Sequence, residues 1–191
     1  MKAFRQCLIY LPLLLSCSLL SACNAQNNQT TTANSLINQT YQTQKVATFD
    51  EPWAMAELAD GRLLITERRG TLKLFDPSTL KSIEILGLPE VAYGGQGGLG
   101  DIVLHPDFAN NHQIYLSYAE TGKGGYGAVV IRGELNLQEK NPRIINIKRI
   151  WEQVPKVSGQ GHYAHRMIFA KDGKLWISSG ERQKFDPAQD M

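Results

Sequence analysis

Three segments of the sequence repeat one pattern: an apolar strand, a turn that contains an aspartate, and a second apolar strand. They are MAELADGRLLITE (55–67), IVLHPDFANNHQIYLSY (102–118) and MIFAKDGKLWISS (167–179). The turn aspartates, at positions 60, 107 and 172, lie 47 and 65 residues apart, an average of 56. Repeats of roughly 40 to 50 residues or somewhat more, each with a few strands, are typical of propeller blades. The pattern therefore predicts a β-propeller rather than a sandwich.

The rest of the chain also favours an all-β fold. Glycine and proline recur at short intervals, and the segments between them are β-branched or alternate apolar with polar residues. No stretch keeps a helical period over three turns. The predicted strands are RLLITE, TLKLF, DIVLH, QIYLSYAE, AVVIRGEL and KLWISSGE.

The length of the folded part limits how many blades it can hold. We place its start near Lys45, which leaves 147 residues, 45–191. Propellers close with about four to eight blades, and this length holds about three at the observed spacing. The sequence ends at PAQDM without a strand that could return to the first blade. We therefore expect the first half of a longer propeller, an open arc with unpaired strand edges.

The N-terminal segment reads as an export signal. Residues 1–22 place Lys2 and Arg5 ahead of an apolar run that is too short for a membrane-spanning helix. The sequence LSAC at 20–23 resembles the lipobox of bacterial lipoproteins, in which Cys23 is acylated and becomes the first mature residue. A plain secretory signal is the alternative. The lipid would anchor the domain to a membrane without a transmembrane helix.

Further features of this region fit a lipid-anchored protein. Asn24, after the cysteine, favours the outer membrane facing the periplasm by the same resemblance. Residues 23–44 predict a flexible polar tether, since 24–44 carry no charge and few groups that could pack. Removal of the signal would also remove Cys7 and Cys17, so no disulfide could form within the mature chain.

The charge balance excludes one class of partner. The signal contains two of the 20 basic residues and none of the 18 acidic ones, which leaves 18 of each in the mature chain. The chain has no cluster of Lys and Arg interleaved with aromatic residues. We therefore expect no nucleic-acid binding.

The segment GGQGGLGDIVLHPDF (94–108) has five glycines around Gln96. A phosphate-binding loop is disfavoured because neither a Walker lysine nor a strand-to-helix transition follows. Two interpretations stay open. The glycines serve a backbone turn with positive φ, or they let the chain approach a flat ligand to which Gln96 offers an amide donor and acceptor. We assign His105 and His112 to packing or solvent, because Pro-Asp at 106–107 predicts a turn.

The segment GQGHYAHRMIF (159–169) places His162 and His165 between a glycine-rich turn and an apolar strand. An imidazole titrates near neutrality and can take a proton from a hydroxyl. A general base is therefore one interpretation, and a hydrogen-bonded turn histidine is the other. No Cys, Asp or Glu stands at ligand spacing within the loop, so we predict no metal site there.

Glu181, in SSGERQ (178–183), ends a strand whose hairpin partner follows directly from the histidine loop. Pairing through the turn at 172–173 should bring Glu181 close to that loop. A carboxylate there could bind the second ring nitrogen of the histidine and fix its tautomer. A surface salt bridge with Arg182 or Arg166 is the alternative.

Three motifs together resemble one known family. In order they are FDEPWAMAELADGRLLITERRGTLKLF, GGQGGLGDIVLHPDF and GHYAHRMIFAKDGKLWISSGE followed by QD. They are similar to the soluble aldose sugar dehydrogenases, the glucose/sorbosone dehydrogenase family, over about residues 45–191. The resemblance implies a six-bladed propeller that uses pyrroloquinoline quinone (PQQ) and calcium to oxidise aldose sugars at C1 to lactones.

The resemblance also implies roles for individual residues. His162 is the base that takes the proton of the anomeric hydroxyl as hydride leaves C1, and Glu181 orients it. Gln96 lies beside the cofactor and the sugar, and Arg166 is a second candidate for cofactor binding. The remaining quinone-binding cations and the calcium ligands lie in later blades of the family, so they are expected outside this chain.

Two positions depart from the family pattern. His165 stands where the family has a small residue, and Gly100 stands where an aliphatic residue is common, which leaves open which imidazole acts. A non-catalytic propeller binding module or lipoprotein platform is the alternative function. A lactonase is disfavoured, since carboxylate and amide metal ligands are not evident. The sequence specifies neither the preferred sugar nor the electron acceptor.

Overall fold

The structure, a computed structural model, describes residues 41–189. The predictions for the signal (1–22), for Cys23 and for all but the last four residues of the tether (23–44) concern residues outside this range. All described strands belong to the second of two compact units, residues 45–191. Within 41–189 no helix has both the length and the apolar character needed to cross a bilayer.

The described residues form three antiparallel sheets in chain order. Two have four strands each, ordered β1-β2-β3-β4 and β5-β6-β7-β8, and the third is the hairpin β9-β10. The described residues fold almost entirely into strands, so the all-β prediction is confirmed, and each four-stranded antiparallel sheet has the strand number of a propeller blade. The strands are β1 (Pro52–Glu57), β2 (Leu63–Glu67), β3 (Thr71–Asp76), β4 (Lys81–Ile85), β5 (Leu99–Leu104), β6 (Gln113–Gly122), β7 (Gly125–Asn136), β8 (Arg143–Glu152), β9 (Ala164–Phe169) and β10 (Leu175–Ser179), with one short helix, α1 (Phe108–Asn111).

The sheets pack face to face in series. Alternating side chains of β7 point to opposite faces, so Val129 and Ile131 pack in the core shared with the first sheet. Val130 packs in the core shared with the β9-β10 hairpin, together with Tyr115 and Met167. The second sheet therefore buries both of its faces, as a blade inside a row of blades must.

The aspartate turns occupy equivalent places in the three sheets. Each joins the first strand of a sheet to the second. In two of them a carboxylate oxygen accepts the backbone N–H two residues later, at 3.0 Å for Asp60 with Arg62 and 3.1 Å for Asp172 with Lys174. The third connection contains Asp107 and α1. Because these turns follow β1, β5 and β9, the loops that precede β5 and β9 lie at the opposite end of the sheets.

Candidate active site

The loops before β5 and β9 meet because these two strands pack against each other. The backbone N–H of Gln96 donates to the carbonyl of Gln160 at 2.7 Å. The backbone N–H of His162 donates to Oε1 of Gln96 at 2.7 Å. A Cβ on Gly94 would lie 2.6 Å from Oε1 of Gln160, and one on Gly95 would lie 2.5 Å from its carbonyl oxygen. These glycines therefore serve the close approach of two loops.

His162 and Glu181 are in direct contact. Nδ1 of His162 is hydrogen-bonded to Oε1 of Glu181. The β9-β10 register brings them together, since Ala164 pairs with Ser179 and the N–H of Gly180 donates to the carbonyl of Tyr163 at 3.1 Å. Glu181 is thus paired with the histidine rather than with Arg182 or Arg166, which was the alternative.

The carboxylate of Glu181 is held from both sides. Its second oxygen accepts the backbone N–H of Phe185 at 3.0 Å. The hydrogen bond from His162 lowers the pKa of Glu181 below its ordinary value, and the backbone donors act in the same direction. An ionised carboxylate on Nδ1 keeps the proton of a neutral imidazole on that nitrogen. The lone pair is then on Nε2, which can accept a proton.

Two functional groups at the junction of the loops remain available. Oε1 of Gln96 is occupied by the N–H of His162, so its Nε2 is the group left to donate. Nothing in residues 41–189 is hydrogen-bonded to Nε2 of His162, whose side chain is 50% exposed. The arrangement therefore presents an amide donor and an imidazole acceptor side by side.

Arg166 is placed differently from the other three predicted site residues. Its Nη1 lies 3.2 Å from Oδ1 of the buried Asp101, and Oδ2 of that carboxylate accepts the N–H of Met167 at 2.7 Å. The arginine side chain is 71% exposed. The structure therefore brings His162 into contact with both Gln96 and Glu181, while Arg166 stands further along β9 with its guanidinium open to solvent.

His165 lies in the interior and not at the junction. It is 2% exposed, and its Nδ1 lies 2.8 Å from the hydroxyl of Ser117. The ring stacks on Trp53 with centroids 6.4 Å apart. Burial lowers the pKa of His165 to about 4. Of the two imidazoles in the loop, only that of His162 reaches solvent.

This burial predicts a pH-dependent stability. The folded pKa of about 4 is below the ordinary value of 6.5, so the unfolded chain protonates first as the pH falls. The stabilisation is complete above about pH 7 and is lost between about pH 6.5 and 4. The free energy of unfolding should fall by roughly 3 kcal/mol from this residue. Urea unfolding at pH 7 and pH 4.5 measures the decrease in the free energy of unfolding between the two pH values. That decrease should be smaller in His165→Leu than in the native chain, and unchanged in the exposed control His112→Gln.

Gly100 and His165, the two positions at which the resemblance predicts a departure from the family pattern, fit each other in space. A Cβ on Gly100 would lie 2.0 Å from Cε1 of His165. The imidazole therefore fills the space that a side chain at position 100 would take. His165 fills this gap without entering the site.

We expect Gly100→Ala to lower the free energy of unfolding by about 3 kcal/mol, because the core is overpacked. Adding His165→Ala should restore part of that loss, and urea denaturation measures both. Gly122→Ala is the control, since a Cβ there meets the flexible side chain of Lys156. If the double variant loses as much free energy of unfolding as Gly100→Ala and His165→Ala lose together, the two residues do not compete for the same space.

The loops around the site depart from ordinary backbone geometry. Six non-glycine residues between 162 and 185 have positive φ, His162 at 48° and Ala164 at 59° among them. Such conformations persist only where the surrounding contacts impose them, and they cluster at functional sites. Within residues 41–189 no group of three or more His, Cys, Asp or Glu side chains could hold a metal ion.

Sequence reasoning missed two arginines that hold the site loops. Arg68 donates from Nη2 to the carbonyls of Gly95 and Gly97, at 2.5 and 3.2 Å, on either side of Gln96. Arg182 is 3% exposed and binds the carbonyls of the loop that carries His162. An arginine next to a glutamate suggests a surface ion pair, and no local pattern in the sequence indicates burial.

Comparison with known proteins identifies relatives of this chain. Residues 49–191 match the family described as glucose/sorbosone dehydrogenase. An aldose sugar dehydrogenase of Escherichia coli K12 is 37% identical over 143 residues, which cover 74% of this chain and 38% of that protein. A crystal structure of a glucose dehydrogenase superposes with a TM-score of 0.69 at 40% identity, over 73% of this chain and 40% of that one.

A further solved structure includes the cofactor. The PQQ-bound aldose sugar dehydrogenase of Streptomyces coelicolor superposes with a TM-score of 0.70 at 27% identity, over 78% of this chain and 44% of that one. The chain therefore spans about four tenths of the length of the relatives it matches.

Proposed function

Because the chain belongs to the glucose/sorbosone dehydrogenase family, we propose that it forms part of the active site of a PQQ-dependent dehydrogenase that oxidises aldose sugars at C1. One observation carries the proposal. His162 is held by Glu181 through Nδ1 and by Gln96 through its backbone N–H, and its half-exposed ring has no hydrogen bond to Nε2 within residues 41–189. This is the arrangement that a general base for a sugar hydroxyl requires.

The groups present at the site fit a planar quinone that bears carboxylates. Nε2 of Gln96 is a donor suited to carbonyl and carboxylate oxygens. The exposed guanidinium of Arg166, further along β9, is a second such donor. When bound, PQQ supplies the acceptor for a hydride.

His162 carries out the proton part of the reaction. As the C1–H bond breaks and its electron pair leaves as hydride, the O–H bond at the same carbon breaks and its proton passes to Nε2 of His162. The electrons of that O–H bond complete the carbonyl of the lactone. Glu181 stabilises the imidazolium that forms, because its carboxylate lies on Nδ1.

The proposal is tested in a complete ring. In a chimera, residues 45–191 replace the matching segment of the E. coli aldose sugar dehydrogenase, and the protein is loaded with PQQ and calcium. Glucose-dependent reduction of a redox dye is the expected result. A folded, PQQ-loaded chimera that reduces no dye with any aldose would contradict the proposal and favour a non-catalytic binding module.

We also propose that the chain is exported and acylated on Cys23, since LSAC (20–23) ends at the cysteine that begins the tether (23–44). The lipid would hold the domain at the outer membrane, facing the periplasm. Mass spectrometry of the mature protein should find an N-terminal diacylglyceryl cysteine. A mature N-terminus at any other residue would contradict acylation.

A further inference from the structure

Arg182 is a buried cation that forms no ion pair within residues 41–189. The residue is 3% exposed, and burial lowers the pKa of its guanidinium. A buried charge is costly unless hydrogen bonds compensate for the lost water. Here backbone carbonyls provide most of those bonds. Because burying this charge costs free energy, we expect Arg182 to hold a particular conformation of the backbone around it.

Two of the carbonyls belong to the turn that leads into His162. Nε of Arg182 donates to the carbonyl of Gly161 at 2.9 Å, and Nη2 donates to that of Gly159 at 2.6 Å. Nη1 donates to the carbonyl of Tyr126, in β7, at 2.5 Å. The planar guanidinium thus ties the histidine turn to the second sheet, with donors pointing in fixed directions.

The residue after His162 is held by the same group. The guanidinium carbon lies 3.7 Å from the ring centroid of Tyr163, which is 2% exposed. This is a desolvated cation–π contact. The backbone N–H of Arg182 also donates to the carbonyl of His162 at 3.3 Å. Arg182 therefore restrains the chain immediately before, at and after the histidine.

Arg68 repeats this arrangement at the other loop. It binds the carbonyls on both sides of Gln96, and its guanidinium carbon lies 5.3 Å from the ring centroid of Tyr93. Each loop of the site is thus held by an arginine that combines carbonyl contacts with a tyrosine ring.

We propose that Arg182 is a positioning residue that sets the orientation of the His162 imidazole, so that Nδ1 meets Glu181 and Nε2 faces the open site. The catalytic role of this orientation rests on the proposed function, whereas the orientation of the imidazole itself does not. A lysine at position 182 keeps the charge but loses the planar fork, so it cannot bind the Gly159, Gly161 and Tyr126 carbonyls together.

The test is the tautomer of His162 in the 191-residue chain. With ¹⁵N-labelled histidine, NMR distinguishes a proton on Nδ1 from one on Nε2, and the His162→Asn variant assigns the signals of His162. In the native chain above the histidine pKa range, the Nδ1–H form should predominate. In Arg182→Lys, the ¹⁵N shifts should move toward those of a free imidazole. Arg62→Lys, whose arginine pairs with Asp60 at the far turn, should leave them unchanged.

A second pair of variants keeps the proposal testable if Arg182→Lys does not fold. Tyr163→Phe keeps the ring under the guanidinium and should retain the native His162 shifts. Tyr163→Leu removes that ring and should shift them. A purely structural role would lower the melting temperature and leave the tautomer unchanged.

The proposal is overturned if a folded Arg182→Lys, or Tyr163→Leu in its place, keeps the native His162 shifts. This measurement needs neither quinone nor sugar, so its outcome is independent of the proposed dehydrogenase activity. An inactive chimera together with a shifted tautomer in Arg182→Lys would refute the function and leave the positioning role standing.

Discussion

Replacing His162 with asparagine should lower kcat of the PQQ-loaded chimera by about 10²- to 10⁴-fold, the range for removal of a general base. Asparagine tolerates the positive φ of this position, 48°. The loop should therefore keep its shape while the proton acceptor is lost. Steady-state dye reduction over a range of glucose concentrations gives kcat and KM, and KM should change little because binding groups elsewhere are untouched.

His112→Asn is the matched control. His112 is also an exposed histidine with positive φ, 51°, at the end of α1. Its replacement should leave kcat unchanged. Native kcat in His162→Asn together with a large loss in His165→Ala would mean that the buried imidazole is the base and that the assignment is wrong.

Replacing Glu181 with glutamine should lower kcat by on the order of 10³-fold, although the side chain keeps its size. A glutamine amide can donate to Nδ1 of His162, which would move the imidazole proton to Nε2 and remove the lone pair that faces the site. The loss should therefore come from the tautomer and not from a displaced loop. Stopped-flow measurement of the reductive half-reaction isolates this step from later electron transfer.

A control variant and a second measurement distinguish a changed His162 tautomer from a folding defect in Glu181→Gln. Glu152→Gln removes a carboxylate that pairs with Arg149 on the surface, and it should leave kcat unchanged. In Glu181→Gln the ¹⁵N shifts of His162 should report the Nε2–H form. A variant with those shifts and native kcat would show that the Nε2 lone pair is not required.

The strands that the sequence predicted each pack one face against a core. β2, β3, β5, β6, β7 and β10 correspond to the six predicted segments. β4 and β8 were missed because they lie at the outer edges of their sheets, where most side chains are exposed. Without a buried face a strand shows little apolar alternation, so its sequence resembles a loop.

The candidate site was predictable where it depends on hairpin geometry. Pairing through the turn at 172–173 was expected to bring Glu181 to the histidine loop, and the structure places it on Nδ1 of His162. The roles of these residues stay predictions. The resemblance to the family provided these roles, whereas the residues alone were also compatible with a histidine that only forms hydrogen bonds in a turn.

Contacts between residues distant in sequence were not predictable. Arg182 binds a carbonyl 56 residues away, and Ser117 binds His165 from 48 residues away. Such pairs become visible only once blades pack, because no local spacing encodes them. The fit between Gly100 and His165 is of the same kind, because their positions in the sequence give no sign that the imidazole fills the space beside the glycine.

The oxidation of glucose deuterated at C1 tests the central claim most directly. The PQQ-loaded chimera should convert it to the C1 lactone with a slower reductive half-reaction than for ordinary glucose, and His162→Asn should nearly abolish that reaction. The claim is contradicted if oxidation occurs at another carbon, if deuterium at C1 leaves the rate unchanged while chemistry limits it, or if a folded His162→Asn protein reacts as fast as the native one.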